Sequence, residues 1–175
     1  MKKGHFIELL VDIIVLLIGL ILSFLSIYKS PILLCFLSLL ICSFLEAIEY
    51  IFNHDKKDTL FMSFALLISA IIIIFIKGRP ALAFAVSFLA LSVLSFIIKV
   101  YSLRYIKKEK IKLLGLRYVI ISIFTVFGIL VSIATYYELF SKIYLLSLLL
   151  SCFGLQELFC DMLVHIDEIK NVIKG

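Results

Sequence analysis

Phe6–Ile27 (FIELLVDIIVLLIGLILSFLSI), the break Tyr28-Lys29-Ser30, and Pro31–Phe52 (PILLCFLSLLICSFLEAIEYIF) together decide the fold. At 1.5 Å of rise per residue, each apolar run forms a helix of about 30 Å, the thickness of a bilayer's hydrocarbon core. Ser30 can cap the second helix, and Pro31 opens it at a position where a missing N–H costs nothing. The same plan of run, short break, run and charged linker recurs twice. The expected fold is all-α: a polytopic membrane protein with six transmembrane helices arranged as three consecutive helical hairpins.

The expected spans are 6–27, 31–52, 59–76, 80–103, 113–134 and 143–164. Asp58 or Thr59 is available to cap the third, Pro80 opens the fourth, and Ser141 is placed to cap the sixth. The β-branched stretch Ile71–Ile74 is no obstacle, because helical hydrogen bonding is effectively compulsory in lipid. The tail from His165 to Gly175 reads as a short polar end able to continue the helix. The three hairpins, 6–52, 59–106 and 113–164, read as parallel repeats within a single domain, with Pro31 and Pro80 in equivalent places. Any chain of six spans with short loops would also look periodic.

Composition agrees. Of 175 residues 64% are hydrophobic and 17% charged, with 16 Phe, no Trp and a mean hydropathy of +1.23. That inventory cannot cover a soluble domain with polar surface. The first run carries Glu8 and Asp12, is too long for a signal-peptide core and lacks a small-residue cleavage site, so it reads as a retained span. The net charge of +5 does not point to nucleic acid: the basic residues sit at the ends of apolar runs, not in a stripe interleaved with aromatics. Cys35, Cys42, Cys152 and Cys160 lie inside apolar runs without CxxC spacing and read as packing residues with free thiols.

Orientation follows from Lys and Arg. Only Lys29, Lys77, Arg79 and Lys142 fall on the side of the tight turns, while the other 13 of the 17 lie on the side of the termini and the linkers. Both termini are expected in the cytoplasm, in a multi-pass protein of the cell inner (plasma) membrane.

The residues of interest are ionisable ones at membrane depth. Glu8 and Asp12, Glu46 and Glu49, and Glu157 and Asp161 are each spaced three or four residues apart and share a helix face, with His165 extending the last stripe. Lys99 and Arg117 approach the same layer. A carboxylate in hydrocarbon is expensive, so these groups should face the bundle interior and find partners there. The candidate polar or proton-responsive cluster is therefore Asp12, Glu46, Glu49, Lys99, Arg117, Glu157, Asp161 and His165. A set of interhelical salt bridges explains the same residues. Their confinement to the inner third, beneath an almost purely apolar outer half, favours that structural reading over an ion pathway.

No HExxH, GxSxG, P-loop or dinucleotide fingerprint is present. The carboxylate pairs lack the Glu-x-x-His element of a di-iron site. The sequence therefore predicts no catalytic residues, no cofactor and no metal.

Gly19-Leu20-Ile21-Leu22 before Pro31, Gly128-Ile129-Leu130 in the third hairpin and Phe153-Gly154-Leu155-Gln156-Glu157 in the last helix give the chain a pattern that resembles the HdeD-like family of small bacterial multi-pass membrane proteins. The second hairpin departs from that pattern with Ser69-Ala70 in place of glycine, and the third has no turn proline. The resemblance implies a non-enzymatic inner-membrane protein of acid or envelope stress response. The expected partners are the lipid bilayer and a membrane-protein partner or second copy of the chain. The rival function is a small transporter, channel or substrate-binding membrane subunit using the carboxylate cluster.

Overall fold

The computed structural model describes residues 3–24, 31–52, 57–76, 79–103 and 111–174; within these, the side chains of residues 3–6, 8, 31, 111–114, 161, 162 and 164–174 are outside the description. Six α-helices account for nearly all of it: α1 Lys3–Phe24, α2 Pro31–Phe52, α3 Lys57–Phe75, α4 Pro80–Leu103, α5 Ile111–Tyr136 and α6 Lys142–Lys174. No strand occurs among the described residues. Five of the helices, α2 to α6, contain stretches long and apolar enough to cross a membrane, and α1 contributes a shorter apolar stretch, Leu9–Phe24.

The two proline-initiated helices begin and end where the sequence places them. Elsewhere α5 and α6 outrun the apolar runs at both ends, and α1 and α3 start ahead of theirs. The start of α3 at Lys57 puts Asp58 and Thr59 in its first turn, not at a cap. In α6 the helix continues through the polar tail to Lys174, a length of about 50 Å, well beyond a bilayer's hydrocarbon core. The turns at 28–30 and 77–78 and most of the basic linker lie outside the described residues.

Neighbouring helices run antiparallel. Arg117 and Gly128 of α5 meet Cys160 and Leu149 of α6, so residue numbers rise along one helix as they fall along the other. The same holds for Gly19 and Leu16 of α1 against Ser151 and Gly154 of α6. The most extensive packing joins α1 to α6, followed by α2 to α3, α4 to α5 and α3 to α4; α1 and α2 touch only lightly. The opening pair of runs is therefore held together mainly through other helices.

Close approach explains the strongest of these contacts. A Cβ on Gly154 would lie 2.7 Å from the Leu16 backbone nitrogen, and one on Gly19 would lie 2.6 Å from that of Ser151. The two glycines thus let the α1 and α6 backbones touch, which maximises dispersion contacts where lipid supplies no hydrophobic drive between helices. Serines perform the same task elsewhere and add hydrogen bonds. Ser43 Oγ donates to the Ser63 carbonyl at 2.9 Å, and Ser63 Oγ returns the bond to Ser43 at 2.8 Å, clamping α2 to α3. Ser69 and Ser87 repeat this reciprocal exchange between α3 and α4, at 3.3 and 2.7 Å. Ser132 of α5 donates to the Ala85 carbonyl of α4 at 2.7 Å.

Apolar side chains fill the remaining interior. Phe84 and Phe88 of α4 pack edge to face at 6.0 Å amid Leu39 of α2 and Leu146 and Leu150 of α6, all fully buried. The outward faces are equally apolar: Phe24 is 80% exposed, Phe75 78% and Phe44 67%, with Leu, Ile and Val between them. An apolar periphery of this extent requires lipid as its solvent.

The turn from α5 to α6 is described in full. The Leu139 amide donates to the Ala134 carbonyl and the Glu138 amide to that of Thr135, a Schellman closure with Glu138 at the left-handed position (φ 54°). Ser141 then caps α6, accepting from the Tyr144 amide at 3.2 Å, as the sequence suggests.

Two outcomes follow for stability in detergent. Gly154→Leu should lower it by about 3 kcal/mol, because the backbone of α1 cannot retreat without losing the whole α1–α6 contact. Glu138→Gly should raise it by about 1 kcal/mol by relieving the left-handed strain. Thermal unfolding of each variant against the parent checks both; an unchanged Tm for Gly154→Leu would refute the close-packed crossing.

Candidate functional site: a buried ion cluster

The alternation of helix directions brings one end of every helix to the end of the bundle that carries Lys3. At that end α4 presents Lys99, four residues from its last residue Leu103 and only 8% exposed. Its Nζ donates to Glu157 Oε2 of α6 at 2.5 Å, and Asp58 Oδ2 of α3 lies 3.9 Å away. Glu46 of α2 is within electrostatic reach of Lys99, Glu157, Asp58 and Glu49. Glu46 and Glu49 are 6% and 3% exposed. One ammonium thus ties α4 to α6 and α3, with Glu46 of α2 within its electrostatic reach.

Local sequence explains the arrangement. Glu46 and Glu49 are one turn apart on the α2 face that also carries Cys35, Leu39 and Cys42, all buried. Ser95 and Lys99 continue the buried stripe of α4 that contains Phe84, Phe88, Leu91 and Ser92. Lys99 therefore points inward because its whole helix face does. The geometry favours a tight ion pair, since water is scarce there and competes weakly for the charges. Removing one partner of such a pair strands the other at a cost of about 3–5 kcal/mol.

The remaining expected members lie as follows. Asp12 is buried on α1, at 3% exposure. Arg117 joins no ion pair among those described: its Nη2 donates to the Cys160 carbonyl of α6 at 2.8 Å, pinning α5 to α6. The side chains of Glu8, Asp161 and His165 lie outside the described residues.

Asp58 is the member that sequence reasoning missed. It looks like an exposed capping residue, and only its position in the first turn of α3 turns it towards Lys99. The signal that could have found it is electrostatic: Asp58 opens α3 at the end of the bundle where the buried Lys99 needs an anion. Gln156, beside Glu157 and 3% exposed, was also passed over; its Nε2 has no hydrogen-bond partner among the described residues.

The half of the bundle away from Lys3, expected to be almost purely apolar, carries buried hydroxyls. Ser69, Ser87, Ser132, Thr135 and Ser147 are all buried. Their hydroxyls donate to backbone carbonyls: those of Ser69, Ser87 and Ser132 across helix interfaces, and those of Thr135 and Ser147 to Val131 and Tyr144 within their own helices. This polarity cements packing. The four cysteines carry free thiols, and among the described residues no three of His, Cys, Asp and Glu are placed to hold a metal ion.

Comparison with family models, with curated proteins and with solved structures returned no match. The arrangement must therefore be interpreted from its own chemistry: a multi-helix membrane protein with a desolvated, acid-rich ion cluster centred on one lysine.

Lys99→Met should destabilise the protein in detergent by about 3 kcal/mol or more, while Lys99→Met combined with Glu157→Leu should recover a large part of the loss. A double-mutant cycle of thermal or denaturant unfolding measures the coupling. Additive effects of the two substitutions would show that the pair contributes nothing specific.

Proposed function

We propose that this chain is a non-catalytic multi-pass protein of the cell inner membrane, serving as a structural or interaction subunit there. The observation that carries this reading is the use of the buried polar groups. Serine hydroxyls close helix interfaces, Arg117 caps a carbonyl, and Lys99 is engaged by Glu157 and Asp58. These groups are committed to holding helices together. In this reading α1 is the sixth span, the chain forms three consecutive hairpins, and both termini are cytoplasmic, in keeping with the distribution of Lys and Arg. The likeness to the HdeD-like family supports a role in acid or envelope stress response, with the bilayer and a second membrane protein or a further copy of the chain as partners.

The cluster itself favours a second reading. Glu46 and Glu49 come to the same end of the bundle as Glu157, Asp58 and Lys99. A small transporter or substrate-binding subunit could use those carboxylates to hold a cation or a basic group. The buried hydroxyls of the outer half already donate to backbone carbonyls, which argues against a continuous polar path through the bundle.

Reporter fusions test the topology. Alkaline phosphatase joined after Lys77 should be active and a fluorescent protein joined after Gly175 should fluoresce. Activity of phosphatase at the C-terminus would overturn the orientation. Solute- or proton-dependent flux in proteoliposomes that is lost in Glu157→Gln would instead select the transport reading.

A further inference from the structure

The turn from α5 to α6 gathers exposed aromatic side chains at one corner of the bundle. Tyr136 ends α5, Tyr137 follows it, Phe140 lies in the turn and Tyr144 in the first turn of α6. All four rings are exposed, Tyr137 to 68%, and so is Leu139 between them. They form an array: Tyr136 meets Tyr137 edge to face at 5.3 Å, and Phe140 meets Tyr144 at 6.0 Å. The backbone joining the two pairs is fixed by the bonds of Leu139 to Ala134 and Glu138 to Thr135, and by the Ser141 cap. The charges of the turn neutralise each other, because Lys142 Nζ donates to Glu138 Oε1 at 3.1 Å. Among the described residues the hydroxyls of Tyr136, Tyr137 and Tyr144 make no hydrogen bond to the protein.

Depth says what these rings meet. The spanning part of α5 is Gly115–Tyr136, which puts Val126 near its centre. Tyr136 lies about 15 Å further along the helix, half the thickness of a bilayer's hydrocarbon core. A tyrosine there has acyl chains against its ring and headgroups at its polar tip. We propose that the α5–α6 corner is a phospholipid-binding surface, its rings lying in the glycerol layer of a zwitterionic leaflet and its tyrosine hydroxyls donating to ester and phosphate oxygens. The Glu138–Lys142 pair leaves the turn no spare cation for an anionic headgroup, which matches it to a neutral one. The proposal goes beyond the structural role given above and needs only that the bundle lie in a bilayer. It holds for either orientation of the termini, so a reversed topology leaves it intact.

The chain has no Trp, so an introduced one reports its own surroundings. Tyr137→Trp protein in phosphatidylcholine vesicles should be quenched about twofold more by a lipid spin-labelled next to the glycerol than by one labelled near the acyl-chain end. Val126→Trp, on the exposed face of α5, should show the opposite order. If Tyr137→Trp fails to fold, Phe140→Trp gives the same comparison at the same corner. Stronger quenching of the corner by the deep label overturns the proposal, since it places the rings in hydrocarbon. Quenching by aqueous iodide without quenching by lipid does so too, placing them in water. Protection from both quenchers, the mark of a covering protein, is equally fatal, as is a Val126→Trp profile no deeper than that of the corner.

Discussion

A lysine buried at the end of a helix bundle needs an anion, and this need organises that whole end of the molecule. Lys99 is on α4, yet its partners come from α6 and α3, so satisfying one ammonium fixes three helices relative to one another. The pair survives because its surroundings exclude competing water. The same exclusion strengthens the interaction of Glu46 on α2 with that pair, which makes it part of the same energetic unit.

Along the rest of the bundle cohesion has a different origin. Lipid is as apolar as leucine, so burying leucine between helices gains little; close backbone approach and shared hydrogen bonds must supply the drive. The structure meets this with two devices. Glycines at the α1–α6 crossing let backbones touch, and reciprocal serine pairs bind α2 to α3 and α3 to α4. Both devices place small residues inward and leave phenylalanine, isoleucine and leucine for the lipid. The glycines that suggest a family likeness thus have a packing role at 19, 128 and 154, and Ser69, where the pattern departs from glycine, is one half of a serine clamp.

Function at such a site is a matter of how much of its polarity is left over. Hydroxyl groups that already donate to backbone carbonyls, and a lysine held by two carboxylates, are engaged in joining helices.

The sequence by itself determined the helical class, the bilayer as solvent and the boundaries of α2 and α4, because hydrocarbon thickness and proline geometry act locally on consecutive residues. It also marked the depth of Glu46, Glu49, Lys99 and Glu157, since depth follows from counting along a helix. Which groups meet was decided only by the tertiary structure. Helix rotation and neighbour choice depend on contacts between residues far apart in the chain, and periodicity does not encode them. Asp58 turned from a presumed cap into a partner of Lys99, Arg117 went to a carbonyl, and α1 settled chiefly against α6. Each outcome rests on packing between helices that the chain brings together only once it has folded.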